Sequence, residues 1–239
     1  MSLSQFYSQN RLKKLVPSAF WLYEISAGLH VIADSLVGIF IPILLLKLGF
    51  TIEEVVMYFV LYNLFDTPLN FCARYTIQTI GARWTLAVGT LSAVAFFGTF
   101  SFLKMGDWNI LVLMAFFAAL YDSFYWVAHV YLFMKSSKED GDAGKDTGIL
   151  YIVSTVGSII APIVGATILM FGDKNTLFYF SIAIFMCSLI PLPWVDDFED
   201  KPVKKLTPFK EFFASVEDKK NYLTTTLFSI HSTAEYVIW

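Results

Sequence analysis

The hydrophobic positions of this chain form long, nearly unbroken runs that are separated by short polar stretches. The first run covers residues 18–46, which are 29 positions of almost entirely apolar side chains. As an α-helix rising ~1.5 Å per residue, this run would be roughly 43 Å long, whereas the hydrocarbon core of a bilayer is ~30 Å thick. We therefore predict a tilted membrane-spanning helix here and name it segment one.

Five further apolar runs predict five further helices. They are segment two (residues 54–75), segment three (83–103), segment four (108–134), segment five (148–171) and segment six (176–195). Segment two is preceded by Thr51-x-x-Glu54, the pattern of a capping box, in which the two side chains satisfy backbone N–H groups at a helix start. The pattern predicts an all-α membrane protein with a six-helix transmembrane bundle over residues 1–195.

The remainder of the chain consists of a charged stretch followed by an apolar one. Residues 196–221 form a charged linker in which four apolar residues recur at helical spacing: Phe209, Phe212, Phe213 and Val216. This spacing indicates a short amphipathic helix, either on the inner membrane surface or as a solvated helix between two halves. Residues 222–239 are apolar again, and we interpret them as the start of a seventh helix in a truncated chain.

Composition supports a polytopic membrane protein. The chain is 56% hydrophobic and only 15% charged, against about 25% charged in soluble domains. It has no basic patch, which argues against nucleic acid as a partner. Cys72 and Cys187 lie in apolar stretches and are interpreted as packed small hydrophobes, so we predict neither a disulfide nor a metal site, and no cofactor.

The positive charges predict the orientation. With the N-terminus inside, 14 of the 17 Lys and Arg residues fall on the inner side, and only Lys47, Lys104 and Lys174 fall outside. Cytoplasmic loops carry this excess in membrane proteins. We therefore expect a multi-pass protein of the cytoplasmic or plasma membrane with its N-terminus inside.

The ionisable residues within the apolar runs are the candidates for chemistry. All three histidines share a segment with a carboxylate at helical spacing: His30 with Asp34 on segment one, His129 with Asp122 and Tyr125 on segment four, and His231 with Glu235 on segment seven. Ionisable groups facing lipid are costly, so they are expected to face protein or a water-filled cavity. We predict a central polar cavity in which these residues exchange protons; interhelical packing bonds are the alternative.

Segment two carries a second polar group near its middle. Asn63, Asp66 and Asn70 lie on one helical face, with Pro68 between them. Asp66 either lines the cavity or anchors segment two to a neighbour. We favour anchoring, because the two asparagines are placed to share one hydrogen-bond network with it.

Segments one to three and segments four to six have matching traits. The first segment of each triplet carries acids and histidines near its middle, and the third has no buried ionisable residue. A repeat of three helices inverts its orientation in the membrane, as in many secondary transporters. We expect segments one and four to face a central cleft and segments three and six to lie outside.

Segment five contains small residues and a proline at a distinctive spacing: Gly148, Gly157, Pro162 and Gly165. Small residues let helices approach closely, and proline kinks a helix. This pattern resembles the helix-five antiporter motif of the major facilitator superfamily, with alanine at positions 161 and 166 where the motif has glycine. A close-packed helix without a coupling role is the alternative interpretation.

The family's loop signature between helices two and three, Gly-x-x-x-Asp-Arg-x-Gly-Arg-Arg, is matched only by Gly81-Ala82-Arg83. Arg74, Gln78 and Thr79 stand at its other key positions, which puts the charge relay of that loop in doubt. The layout of the whole chain is nevertheless similar to the family: six helices, a charged inner linker and then helix seven.

The resemblance implies a secondary active transporter of a small solute, with helices one, four, seven and ten lining the cavity. Its expected partners are the lipid bilayer, a small-molecule substrate, protons and a missing C-terminal six-helix half. Proton coupling is expected, with export or antiport favoured. We expect Asp34 to be the principal proton-coupling residue, with His30 tuning it and Asp122 as the competing candidate.

Two other classes are weighed against a transporter. A membrane-embedded aspartyl-type enzyme would use Asp66 and Asp122, but the sequence has no Gly-x-Gly-Asp, Gly-x-Ser-x-Gly or His-Glu-x-x-His motif. A channel or seven-helix receptor is the other alternative, and the sequence has no Arg-rich sensor helix and no filter-like loop. We therefore predict no catalytic residues.

Overall fold

The fold is all-helical in the part of the chain that the computed structural model describes, which is residues 19–140, 143–194 and 220. Segment one consists of Ala19–Val37, a 3-10 turn at Gly38–Phe40 and Ile41–Lys47. The other helices are Ile52–Ile80 (segment two), Ala82–Phe102 (three), Trp108–Asp140 (four), Ala143–Phe171 (five) and Lys174–Ser188 (six), followed by a 3-10 turn at Leu192–Trp194. The predicted all-α membrane bundle is confirmed.

Five of the described helical stretches are long and apolar enough to cross a membrane: Trp21–Lys47, Ala82–Phe102, Trp108–Met134, Thr147–Phe171 and Lys174–Trp194. Segment two has the length to span, with 29 residues. It is not in this group because its polar side chains lower its hydropathy. We therefore expect the polar side chains of segment two to face other helices instead of lipid.

Segment one is interrupted where the sequence predicts one continuous helix. The 3-10 turn at Gly38–Phe40 ends just before Pro42, which occupies the first turn of Ile41–Lys47. Proline has no N–H to donate to the carbonyl four residues earlier, and its ring crowds that carbonyl. The helix therefore tightens and restarts at this point.

Two helix starts are capped by side chains. At segment two, Glu54 accepts a hydrogen bond from the Thr51 backbone N–H (2.7 Å), and the Glu54 N–H donates to the Thr51 hydroxyl (3.3 Å), which confirms the capping box. At segment six, Asp173 accepts from both the backbone N–H and the hydroxyl of Thr176, each at 2.7 Å. These bonds lower the pKa of Asp173.

The packing of the segments repeats itself across the two triplets. Segment one packs mainly against segments five and six, and segment four packs mainly against segments two and three. Segments three and six also contact one another, whereas the backbones of segments one and four come close at few points. The first helix of each triplet therefore packs against the second and third helices of the other triplet. This symmetry is expected for two inverted three-helix repeats.

Segment three is more enclosed than we expected for an outer helix. Half of the most apolar stretch of segment three (50%) is buried in the described bundle. The corresponding fraction for segment five, the most exposed of these helices, is 17%. The reason is its run of small residues. At Gly89, for example, an added Cβ would lie 2.5 Å from the backbone nitrogen of Tyr125 on segment four.

Cys72 and Cys187 are exposed free thiols, so their predicted packing is wrong. Apolar residues of a membrane helix can face lipid, and an apolar neighbourhood in sequence therefore does not imply burial. The predicted linker helix and the seventh segment, with His231 and Glu235, lie outside the described residues.

Candidate functional site

Three carboxylates from three segments lie near one another within the bundle. Asp34 comes from segment one, Asp66 from segment two and Asp122 from segment four. Asp122 is close enough to both of the others for their charges to interact. All three side chains are half-buried, so each retains some contact with space that the described residues do not fill. We call this group the acidic cluster.

Tyr121 connects the acidic cluster to His30. Its hydroxyl lies 3.0 Å from Nε2 of His30 and also interacts with Asp34. The i, i+4 spacing of His30 and Asp34 favours direct contact, yet no direct hydrogen bond joins them in the described structure. The tyrosine stands between the two residues, so segment four provides the connection.

His30 is enclosed by aromatic rings. Its imidazole stacks on Tyr125 with the ring centroids 3.3 Å apart and the planes 7° apart, and the edge of Phe185 on segment six closes another side at 4.8 Å. Both His30 and Tyr125 are 1% exposed. His30 Nδ1 and the Tyr125 hydroxyl have no hydrogen-bond partner among the described residues.

His129 forms a second contact between segments four and one, in addition to that of Tyr121 with His30. The Tyr23 hydroxyl lies 2.8 Å from Nδ1 of His129 and donates to the His129 carbonyl oxygen at 3.0 Å. Both side chains are buried. This contact therefore joins segments one and four nearer the N-terminal end of segment one and the C-terminal end of segment four than the contact of His30 with Tyr121 does.

The predicted stripe of Asp122, Tyr125 and His129 divides between two neighbours. Asp122 interacts with Tyr62 on segment two and with Trp126 on its own helix. Tyr125 and His129 instead contact segment one through His30 and Tyr23. Segment four thus presents its carboxylate to segment two and its aromatic and imidazole rings to segment one.

Asp66 is held by two side-chain donors. The Ser123 hydroxyl of segment four donates to it at 2.5 Å, and the Asn70 amide of its own helix donates at 2.9 Å. Asn63 donates to the Phe59 carbonyl oxygen one turn earlier at 2.8 Å. The bond from Ser123 joins segments two and four.

The small residues of segment five let it approach segment one closely. A Cβ at Gly165 would overlap the carbonyl oxygen of Leu36, and one at Gly157 would lie 3.3 Å from Ile32. Ala161 between them is buried. Gly148, by contrast, has open space around it. The close approach therefore covers the part of the motif around Pro162 and does not extend to Gly148.

The sequence analysis missed four hydroxyl groups that position the site: Tyr23, Tyr62, Tyr121 and Ser123. The four residues share one feature in the sequence, which is that each lies on a segment that also carries an intramembrane carboxylate. Tyrosines are frequent in this chain, with 12 in total. Spacing along one helix cannot show which of them meets a residue on another.

No group of three or more His, Cys, Asp or Glu residues in the described structure could hold a metal ion. The family model of the Major Facilitator Superfamily matches residues 25–236, which is most of the chain. A search of the curated proteins finds no relative.

Proposed function

Because the chain belongs to the Major Facilitator Superfamily, a family of secondary transporters of small solutes, we propose that it couples solute movement to protons through the acidic cluster. The observation that carries this proposal is the meeting of three carboxylates in the interior of a membrane bundle. Ionisable residues in such positions are costly and mark ion and proton pathways. Proton transfer needs groups that change charge, and the cluster supplies them beside two histidines.

Asp34 is the principal proton-coupling residue in this proposal. It is half-buried, and its polar neighbour is the Tyr121 hydroxyl, which also bonds to His30. His30 therefore tunes Asp34 through the tyrosine, and the two titrate as members of one coupled group. Asp122 is the competing carrier because it lies within electrostatic reach of Asp34.

The direction and location of transport complete the proposal. The protein lies in the cytoplasmic or plasma membrane with its N-terminus inside, as the distribution of Lys and Arg indicates. Export or antiport is favoured by the close packing of segment five on segment one around Pro162. The enzyme alternative has less support, because the family consists of transporters and Asp66, one of its two required carboxylates, is engaged by Ser123 and Asn70.

The test uses the full-length protein in proteoliposomes that contain a pH-sensitive dye. A panel of sugars, amino acids, carboxylates and amines is added, and solute-dependent proton flux is recorded. Asp34→Asn should abolish flux driven by a pH gradient while downhill exchange of the same solute continues. Asp107→Asn, in the loop before segment four, is the matched control and should behave as wild type.

Two outcomes would contradict the assignment. Unchanged gradient-driven flux in Asp34→Asn would show that the proton is carried elsewhere, and Asp122→Asn would then be tested in the same way. Loss of the folded protein, detected as a lower yield of monodisperse material on size exclusion, would show that Asp34 is structural.

A further inference from the structure

The two buried histidines of segments one and four differ in their contact with accessible space. His30 is 1% exposed, and its Nδ1 atom is fully enclosed without a hydrogen-bond partner among the described residues. His129 is 7% exposed, and its Nδ1 atom is hydrogen-bonded to the Tyr23 hydroxyl. The Nε2 atom of His129 has no partner among the described residues, and it is not one of the fully enclosed atoms. Of these two rings, His129 is therefore the one with a nitrogen atom that water can reach.

Two contacts of the Tyr23 hydroxyl determine which nitrogen of His129 carries the proton. The hydroxyl oxygen lies 2.8 Å from Nδ1 of His129 and 3.0 Å from the carbonyl oxygen of the same residue. A tyrosine hydroxyl has one proton to donate, and a carbonyl oxygen can only accept. A hydroxyl proton directed at Nδ1 would leave two oxygen atoms facing each other at 3.0 Å without a proton between them. The hydroxyl therefore donates to the carbonyl oxygen and accepts the proton of Nδ1.

This arrangement leaves Nε2 of His129 as the proton acceptor. In a neutral imidazole one nitrogen is a donor and the other an acceptor, and the hydrogen bond of one nitrogen sets the state of the other. When the ring becomes charged, the new proton binds to Nε2, and Nδ1 keeps its own proton and its bond to Tyr23. The contact between segments one and four is therefore retained when His129 is protonated.

The ionisable groups around His129 come from segments one and four. Tyr23 and Tyr125 contact its ring, and the buried His30 and Glu24 lie beside these two tyrosines. The side chains that segments three and six add to the cluster around Tyr23 are apolar: Ala82, Leu86 and Leu192. Among the described residues, no carboxylate is hydrogen-bonded to His129. The proton on Nε2 is therefore not held by a neighbouring acid.

We propose that Tyr23 is a positioning residue that holds His129 as the Nδ1–H tautomer, so that Nε2 of His129 exchanges protons with water during transport. The role in transport rests on the proposed function, whereas the tautomer is a property of the folded protein alone. Uptake forms one N–H bond at Nε2 with a proton delivered by water, and release returns that proton to water. The acidic cluster remains the coupling site, and His129 is a second proton-binding position between the cluster and the solvent.

The tautomer is tested by ¹⁵N solid-state NMR of the full-length protein, labelled in its histidines, in phosphatidylcholine vesicles at neutral pH. Protonated and unprotonated ring nitrogens have well-separated resonances, and His129→Asn identifies the signals of His129 by removing them. If His129→Asn fails to fold, His30→Asn and His231→Asn identify the same signals by elimination. We expect a protonated Nδ1 and an unprotonated Nε2. An unprotonated Nδ1 of His129 in the wild type would overturn the proposal.

The role of Tyr23 is tested in the same spectra. Tyr23→Phe keeps the ring and removes the hydroxyl, so nothing then selects Nδ1–H and His129 should show both tautomers. Tyr121→Phe is the matched control, because its hydroxyl bonds to His30, and it should leave the His129 signals unchanged. Unchanged His129 signals in Tyr23→Phe would contradict the positioning role.

The role of Nε2 is tested by His129→Asn in the proteoliposome assay of proton flux. An asparagine amide can donate to Tyr23 in place of Nδ1–H, but it takes up no proton at neutral pH. The variant should therefore elute as wild type on size exclusion and lose most of the solute-driven proton flux, while downhill exchange of the solute continues. Full proton flux in His129→Asn, with loss of flux in Asp34→Asn, would refute the role of Nε2 and uphold proton coupling. Absence of solute-driven proton flux in the wild type would contradict the proposed function, and the NMR result would still decide the tautomer.

Discussion

Gly89 is a position where a single added methyl group should measurably lower stability. An added Cβ would lie 2.5 Å from the backbone nitrogen of Tyr125 and 2.9 Å from its Cα and Cβ atoms. These are main-chain and adjoining atoms of another helix, so no flexible side-chain end is available to move aside. The perturbation is therefore Gly89→Ala, and Gly98→Ala on the same segment is its control, because nothing lies within 4 Å of a Cβ there.

Comparing Gly89→Ala with Gly98→Ala isolates the free-energy cost of the steric clash at Gly89. Replacing glycine by alanine within a helix gains roughly 0.5–1 kcal/mol in either position, because the unfolded chain loses freedom. Overpacking a close contact costs about 1–3 kcal/mol. We therefore expect Gly98→Ala to be as stable as wild type or more so, and Gly89→Ala to be about 1–3 kcal/mol less stable than Gly98→Ala.

The assay is thermal unfolding in detergent followed by intrinsic fluorescence of the six tryptophans. Thiol-reactive dyes are unsuitable because Cys72 and Cys187 are exposed in the folded protein. At roughly 2–4 °C per kcal/mol for a chain of this size, the Tm of Gly89→Ala should be about 2–12 °C below that of Gly98→Ala. Equal Tm values would refute the close approach of segments three and four at this level.

Three further substitutions test other contacts. Ser123→Ala should lower the free energy of unfolding by about 1 kcal/mol in the same thermal assay, because it removes a donor from the segment-two carboxylate; an unchanged Tm would argue against the anchoring role. Gly165→Val should prevent assembly of the bundle, seen as aggregation on size exclusion, while Gly148→Val should elute as wild type; identical profiles would contradict the backbone contact. Asp173→Ala should lower the Tm at neutral pH, because it removes the cap of Thr176. Since folding lowers the Asp173 pKa, the cap is fully effective above the ordinary aspartate pKa of ~3.9 and is lost as the pH falls through the lowered one, so the Tm difference from wild type should narrow as the pH is lowered past ~3.9; a constant difference would mean that the carboxylate charge is not involved.

The sequence predicted the segments well because the bilayer imposes a length and an apolar composition on each one. It also predicted the capping box at Thr51, which depends only on residues close together in the chain. It did not predict the break in segment one, although Pro42 was present in the run. A proline in the first turn after a break is favourable, so its presence alone does not show where the preceding helix ends.

The contacts within the site were harder to predict, for a geometric reason. Helical spacing shows that His30 and Asp34 share a face, but it does not show what that face meets. Tyr121 reaches both residues from segment four, and its position depends on the rotation of one helix against another. The same limit applies to Cys72, because an apolar helix has one face toward protein and another toward lipid.

The three carboxylates of the acidic cluster differ in how the surrounding protein holds them. Asp66 accepts well-formed hydrogen bonds from Ser123 and Asn70, so both of its oxygens have side-chain partners. Asp34 interacts instead with the Tyr121 hydroxyl, and Asp122 interacts with the Tyr62 hydroxyl and with the Trp126 side chain of its own helix. Two donors do not fill the acceptor sites on the two oxygens of a carboxylate, so what distinguishes Asp66 is its short hydrogen bond from the Ser123 hydroxyl of segment four. In our proposal, transport chemistry belongs to Asp34 and Asp122, and Asp66 holds segment two against segment four.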